Sequence, residues 1–152
     1  MITLSQRLIS IIFYLFPSTD IIQYGNAVYT NFPLAKVVFY AIRPIIYLQN
    51  NIVLSDLLIF AILFLGIARN AKISYFIRFN AMQVILLKFI LILIRYIYIL
   101  ILQLNIPYFL EESIETTIFI GMVTLIIFSI IQSLRGIEAD LPFISQAAKM
   151  QI

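Results

Sequence analysis

The sequence predicts an all-α, polytopic membrane protein, with four transmembrane helices and short amphipathic helices near its N- and C-termini. Three observations predict it. The 152 residues are 63% hydrophobic and 11% charged, with a mean hydropathy of +1.07, whereas a soluble domain carries about a quarter charged residues. The apolar residues gather into runs that cross, or nearly cross, a hydrocarbon core of about 30 Å. The cations cluster on alternate connections between those runs, as the positive-inside rule requires.

Residues 4–16 come first, with Leu4, Leu8, Ile11, Ile12, Leu15 and Phe16 on one helical face and Gln6, Arg7, Ser10 and Tyr14 on the other. A run this short falls below the span length of about 20 residues, so it reads as an interfacial helix. The alternative is a short first span completed by its neighbours. Pro17 is expected to end this helix, and 18–32 to form a loop with Gly25 and Asn26 as turn formers. No small-residue cleavage site follows the first apolar run, so no removable targeting segment is expected.

A hydrophobic hairpin is predicted next, with spans at 34–49 and 53–69 joined by Gln49, Asn50 and Asn51. Arg43-Pro44 predicts a kink in its first arm. The third span is read at 79–104, closed by Asn105-Ile106-Pro107, and the fourth at 116–134, closed by Arg135-Gly136. Asp140 and Pro142 are placed to start a short amphipathic helix through Ala148. No soluble domain, linker or internal repeat interrupts this single membrane domain.

With four spans, Arg7, Lys36, Arg69, Lys72, Arg78, Arg135 and Lys149 share one side with both termini. The opposite side receives Glu111, Glu112 and Glu115 and no cation. Both termini are therefore expected in the cytoplasm or its organellar equivalent. The lipid bilayer is the partner this charge pattern implies, and nucleic acid is not one.

The chain has no Cys and no His. That removes disulfides, thiolate or imidazole metal sites and His-based catalysis. No paired-carboxylate or Ser/Lys arrangement points to an enzyme, and no cofactor or metal is expected.

Three further cations fall within the spans: Arg43, Lys88 and Arg95. A charge at mid-bilayer costs about 2.5–3.5 kcal/mol on insertion scales, so each needs a reason. On the third span Asn80, Gln83, Lys88 and Arg95 share a stripe about 140° wide at helical spacing. The stripe can line a hydrated path or form a docking seam. A purely structural reading stands beside these, with Asn80 and Gln83 making interhelical hydrogen bonds and Asp56 pairing with Arg43 or Arg95. Lys88 has no evident acidic partner. The acidic cluster reads as a solvated loop.

Two stretches resemble a known family. The first runs Arg69-Asn70, then Ile73 to Leu87 with Arg78, Phe79, Asn80, Met82 and Gln83; the second runs Ser133-Leu134-Arg135-Gly136, then Leu141 to Ile152 with Pro142 and Ser145. Together they resemble the twenty-kilodalton subunit family of the translocon at the inner envelope membrane of chloroplasts, with Tyr24-Gly25 a weaker match. The likeness covers the chain from about Tyr24 onward.

The resemblance implies a four-span, enzyme-free subunit that helps precursor polypeptides cross the plastid inner envelope, with both termini stromal. Other translocon subunits are the partners it implies, and homo-oligomers are open to it. Its composition looks like that of a plastid-encoded algal member or a cyanobacterial relative. Lys88 departs from the family pattern, which carries an acid there, and Arg43 is unusual in the first span. The signature is therefore carried over as a region. A scaffold subunit without substrate contact is the alternative function. A small-solute carrier is a third, disfavoured by the missing repeats.

Overall fold

The computed structural model describes residues 2–152, with the side chains of Val38, Phe39 and Ala41 left aside. Helices make up the fold, and no strand occurs among the described residues. Helices α1 (Leu4–Phe13) and α2 (Leu15–Ile21), with a 3₁₀ turn at Ile22–Tyr24, form a nearly continuous N-terminal rod. A short α3 (Asn26–Asn31) leads to α4 (Lys36–Asn51), then α5 (Ser55–Ala61) runs on as a π-helical segment, Ile62–Ala68. The long α6 (Tyr75–Leu102) and α7 (Tyr108–Arg135) follow, and α8 (Ile144–Gln151) closes the chain.

Among the described residues two helices, α6 and α7, are long and apolar enough to cross a membrane, or three segments if the bent α4–α5 pair counts as one. The two arms predicted at 34–49 and 53–69 do not form an antiparallel hairpin. Residues Ile42–Asn51 and Ser55–Ala68 meet at 105°. The break is at Ile52–Leu54, beyond the expected turn, where Leu54 takes a left-handed φ of 59°. For a branched side chain that conformation marks a forced, sharp change of direction.

Pro17 does not end the first helix. The chain breaks earlier, at Tyr14, which places Pro17 in the first turn of α2, where a missing N–H costs nothing. The expected loop at 18–32 is also mostly helical. Ser18 Oγ and Thr19 Oγ1 donate to the carbonyls of Tyr14 and Phe16, each at 2.7 Å, the kind of back-bonding that bends a helix. The acidic stretch likewise belongs to α7, with Pro107 at its N-cap and Glu111 in its first turn. Carboxylates near a helix N-terminus are stabilised by its dipole.

The N-terminal rod packs against α6, α7 and α4 rather than standing apart from them. Its buried residues are Ser10, Phe13, Tyr14, Pro17, Ser18, Ile21 and Tyr24, spaced three or four apart so that they face one way. The core is centred on α6, which buries Phe76 and the run Phe79–Ile85. Beneath it α8 buries Ile144, Ser145 and Ala148, and the preceding segment buries Ala139 and Leu141.

Candidate functional site

Asn80 and Gln83 project from the first turns of α6 and are both 0% exposed. A buried amide left unpaired costs about 1–3 kcal/mol, so the surroundings must satisfy them, and they do. The Tyr14 hydroxyl lies 2.9 Å from Asn80 Oδ1 and 2.8 Å from Gln83 Oε1, sharing its one proton between them. Ser133 Oγ donates to Asn80 Oδ1 at 3.0 Å, and Asn80 Nδ2 donates to the Phe76 carbonyl at 2.8 Å. Gln83 Nε2 donates to the Ala139 carbonyl and to Ser145 Oγ, both at 2.8 Å. Ser145 Oγ accepts from Leu141 N at 2.6 Å and donates to the Ala139 carbonyl at 2.8 Å.

This knot ties the N-terminal rod, α6, α7 and the C-terminal segment at one end of the bundle. The signature residues gather there. Arg78 Nε donates to the Ala68 carbonyl at 2.9 Å, closing the π-helical segment. The Arg69 guanidinium sits over the Phe64 ring at 5.5 Å. Asn70 Oδ1 accepts from Lys72 N at 3.0 Å. Phe79 is wholly buried beneath the Lys149 ammonium, 5.6 Å from its ring centre, and Met82 is buried beside it. Arg135 donates to Gln132 Oε1 at 3.3 Å. Gly136 ends α7 at φ 72°, a conformation that favours glycine. The Pro142 carbonyl accepts from Ile144 N at 2.7 Å, near the start of α8.

Further along α6 the stripe becomes ionic. Lys88 Nζ is 3.0 Å from Asp20 Oδ2 and 2.9 Å from Asp56 Oδ1, linking α2, α5 and α6. The expectation that Lys88 lacks an acid is thereby corrected. Asp20 was hidden in a stretch read as loop, and Asp56, offered to Arg43 or Arg95, is turned towards Lys88. No ion pair of Arg43 or Arg95 occurs among the described residues. Arg95 is exposed and borders a small polar cavity of about 50 Å³ with Asp20, Gln23, Tyr24, Asp56 and Lys88. On the other side of the Lys88–Asp56 pair, an apolar cleft of about 290 Å³ runs between α5 and α6, lined by Leu57, Phe60, Ile85, Phe89 and Ile92.

Sequence reasoning thus found the stripe but missed what covers it. Tyr14, Asp20 and Tyr24 form a matching row on the N-terminal rod. Tyr14 meets Asn80 and Gln83, Asp20 meets Lys88, and Tyr24 packs edge-on against Tyr98 at 5.6 Å. The signal was the spacing Ser10, Tyr14, Ser18, Ile21, of which the first two were read as the polar face of an interfacial helix and the last two as loop.

Fold and site define an all-helical membrane protein whose polar residues turn inward to lock its helices. Residues 4–148 match the family model described as "Chloroplast import apparatus Tic20-like", and the chain belongs to that family. The resemblance read in the two signatures is thereby borne out. A Tic20 family protein of Synechocystis sp. is 33% identical over 150 residues, covering 96% of this chain and 92% of that relative. Protein TIC 20-II, chloroplastic, of Arabidopsis thaliana is 27% identical over 164 residues, covering 97% of this chain and 73% of the relative. Tic20 family protein Ycf60 of Porphyra purpurea is 28% identical over 156 residues, covering 98% and 76%.

Proposed function

We propose that this chain is a membrane subunit of a plastid protein-import translocon, seated in the inner envelope with both termini in the stroma. It acts there as a rigid structural subunit, bound to other translocon subunits. The observation that carries this reading is the complete internal use of Asn80 and Gln83, which are 0% exposed and bonded to Tyr14, Ser133, Ser145 and the Ala139 carbonyl. Amides so occupied present no surface to a passing polypeptide. Any route for precursors then runs along the outside of this bundle, between it and a neighbour.

A second reading, direct contact with the precursor, draws support from one place. Arg95 is exposed, and the cleft beside Lys88 opens between α5 and α6. Photocrosslinking from Gln83 and from Ile92 during arrested import separates the two. Adducts only with membrane subunits support the structural role. Precursor adducts from Ile92 give this chain a share in the route, and precursor adducts from Gln83 overturn the closed core.

A further inference from the structure

Two hollows meet at the Lys88 cluster. The polar cavity of about 50 Å³ gathers Asp20, Gln23, Tyr24, Asp56, Lys88 and Arg95. The cleft of about 290 Å³ between α5 and α6 is apolar except for Asp56 and Lys88. Asp56, Lys88 and Ile92 line both hollows. Joined through these residues, the two match an amphiphile, with one polar end and one apolar end.

The polar end has an unmet demand. Tyr24 is 2% exposed, and its hydroxyl has no hydrogen-bond partner. Buried polar groups of this kind are costly, and a partner from outside the chain relieves them. The charges select the class of that partner. Asp20 and Asp56 balance Lys88 and Arg95, so the formal sum around the cavity is zero. Lys88 is already held by both carboxylates, at 3.0 and 2.9 Å. A phosphate would be repelled by the two acids, and a quaternary ammonium by Lys88 and Arg95.

A neutral group with several hydroxyls meets neither objection. It can donate to the carboxylates, of which Asp56 is 67% exposed, and accept from Arg95 and from the Tyr24 hydroxyl. One water occupies about 30 Å³ of the liquid. The cavity of about 50 Å³ therefore admits one hydroxyl-bearing edge of such a group.

The apolar end lies at the right depth. The 28 residues of α6 reach about 42 Å at about 1.5 Å per residue. Centred on a core of about 30 Å, the helix puts Lys88 near the midplane. Arg95 falls within about 5 Å of the hydrocarbon edge, towards the end where Tyr98 donates to Glu115 at 2.7 Å. From Arg95 inward, Ile92, Phe89 and Ile85 succeed one another along the cleft, over about 15 Å of helix. Leu57 and Phe89 are 58% and 48% exposed on its rim, so the cleft opens outward. A lipid of that leaflet enters with its head beside Arg95 and its tail towards the midplane.

We propose that the joined hollows bind a neutral glycolipid, with one sugar edge seated among Asp20, Tyr24, Asp56 and Arg95 and one acyl chain laid in the cleft between α5 and α6.

The test is photolabelling of the full chain in phosphatidylcholine vesicles. Three probes carry the same mid-chain diazirine: a monoglycosyl diacylglycerol, a phosphatidylglycerol and a phosphatidylcholine. The glycolipid probe is expected to label Leu57, Phe60, Ile85, Phe89 or Ile92. Unlabelled glycolipid should suppress those adducts, and unlabelled phosphatidylglycerol should not. Tyr24→Phe is expected to lower the labelling about two- to tenfold, the worth of one hydrogen bond. It should leave the unfolding midpoint unlowered, because the ring keeps its edge-on contact with Tyr98 at 5.6 Å. Ile92→Trp fills the cleft and should abolish the adducts. Equal labelling by all three probes, a preference for phosphatidylglycerol, or a cleft without adducts each overturns the proposal. The measurement needs no precursor and no partner subunit, so its failure is separate from any failure of the import reading.

Discussion

The hydroxyl of Tyr14 lies 2.8 Å from Oε1 of Gln83, where both side chains are completely buried. Sixty-nine residues apart in sequence, they join the N-terminal rod to the central helix. Removing the hydroxyl with Tyr14→Phe is expected to cost about 0.6–2 kcal/mol, the range for hydrogen bonds between helices in membranes. Gln83→Leu is expected to cost more, because Tyr14, Ser145 and the Ala139 carbonyl each lose a partner. Thermal unfolding in detergent measures both. The double variant should fall short of the sum, since the two changes remove one shared contact. Full additivity would mean that the knot is not a unit.

How much of this was readable beforehand depends on the element. The two long helices were legible because their apolar runs are long and their ends carry plain stop signals, Pro107 and Gly136. Asn80, Gln83 and Lys88 were legible as one stripe because α6 is unbroken, so helical spacing holds along it. The N-terminal rod was not, because Pro17 reads as a terminator unless the earlier break at Tyr14 is known. Its amphipathy was detected, but its polar face is covered by the bundle and not by water, since periodicity gives two faces but not what covers each. The 105° bend was hidden for a related reason. Gln49-Asn50-Asn51 signals a change of direction without fixing its angle.

Gly136 supplies a prediction at the end of α7. Its φ of 72° is open to glycine at little cost, whereas a side chain there costs about 1–2 kcal/mol. A Cβ would also stand 2.9 Å from Nε of Arg7. Gly136→Ala should therefore lower stability by at least the backbone cost and displace the Arg7 guanidinium from the Leu134 carbonyl. An unchanged unfolding midpoint would show that the left-handed cap is unimportant.

The docking of α8 should depend on alkaline pH. Lys149 Nζ lies 3.1 Å from Glu138 Oε2, and this hydrogen bond and charge raise the Lys149 pKa above its usual 10.5. A cation whose pKa is raised on folding contributes its stabilisation fully below the unfolded value. That contribution disappears as pH rises through the folded value. A fluorophore at Gln151→Cys should report α8 loosening only above about pH 10.5, the ordinary Lys value. With Glu138→Gln the contribution of the pair is absent at every pH, so the alkaline loosening step should disappear. Identical profiles for the two would remove the pair from the account.

The Lys88 cluster carries the largest expected effect. Its ammonium is nearly buried, at 11% side-chain exposure, and holds two carboxylates that belong to different segments. Lys88→Met leaves Asp20 and Asp56 facing each other without a cation; breaking a buried pair on one side costs about 3–5 kcal/mol, a ceiling here because the Asp20 and Asp56 side chains are 33% and 67% exposed. Neutralising the acids as well, in Lys88→Met/Asp20→Asn/Asp56→Asn, removes the stranded charges and should recover most of that loss. Restoration would show that Lys88 matters as the counter-ion of two acids. If the triple variant were as unstable as Lys88→Met, the cost would instead lie in lost packing of the lysine stem.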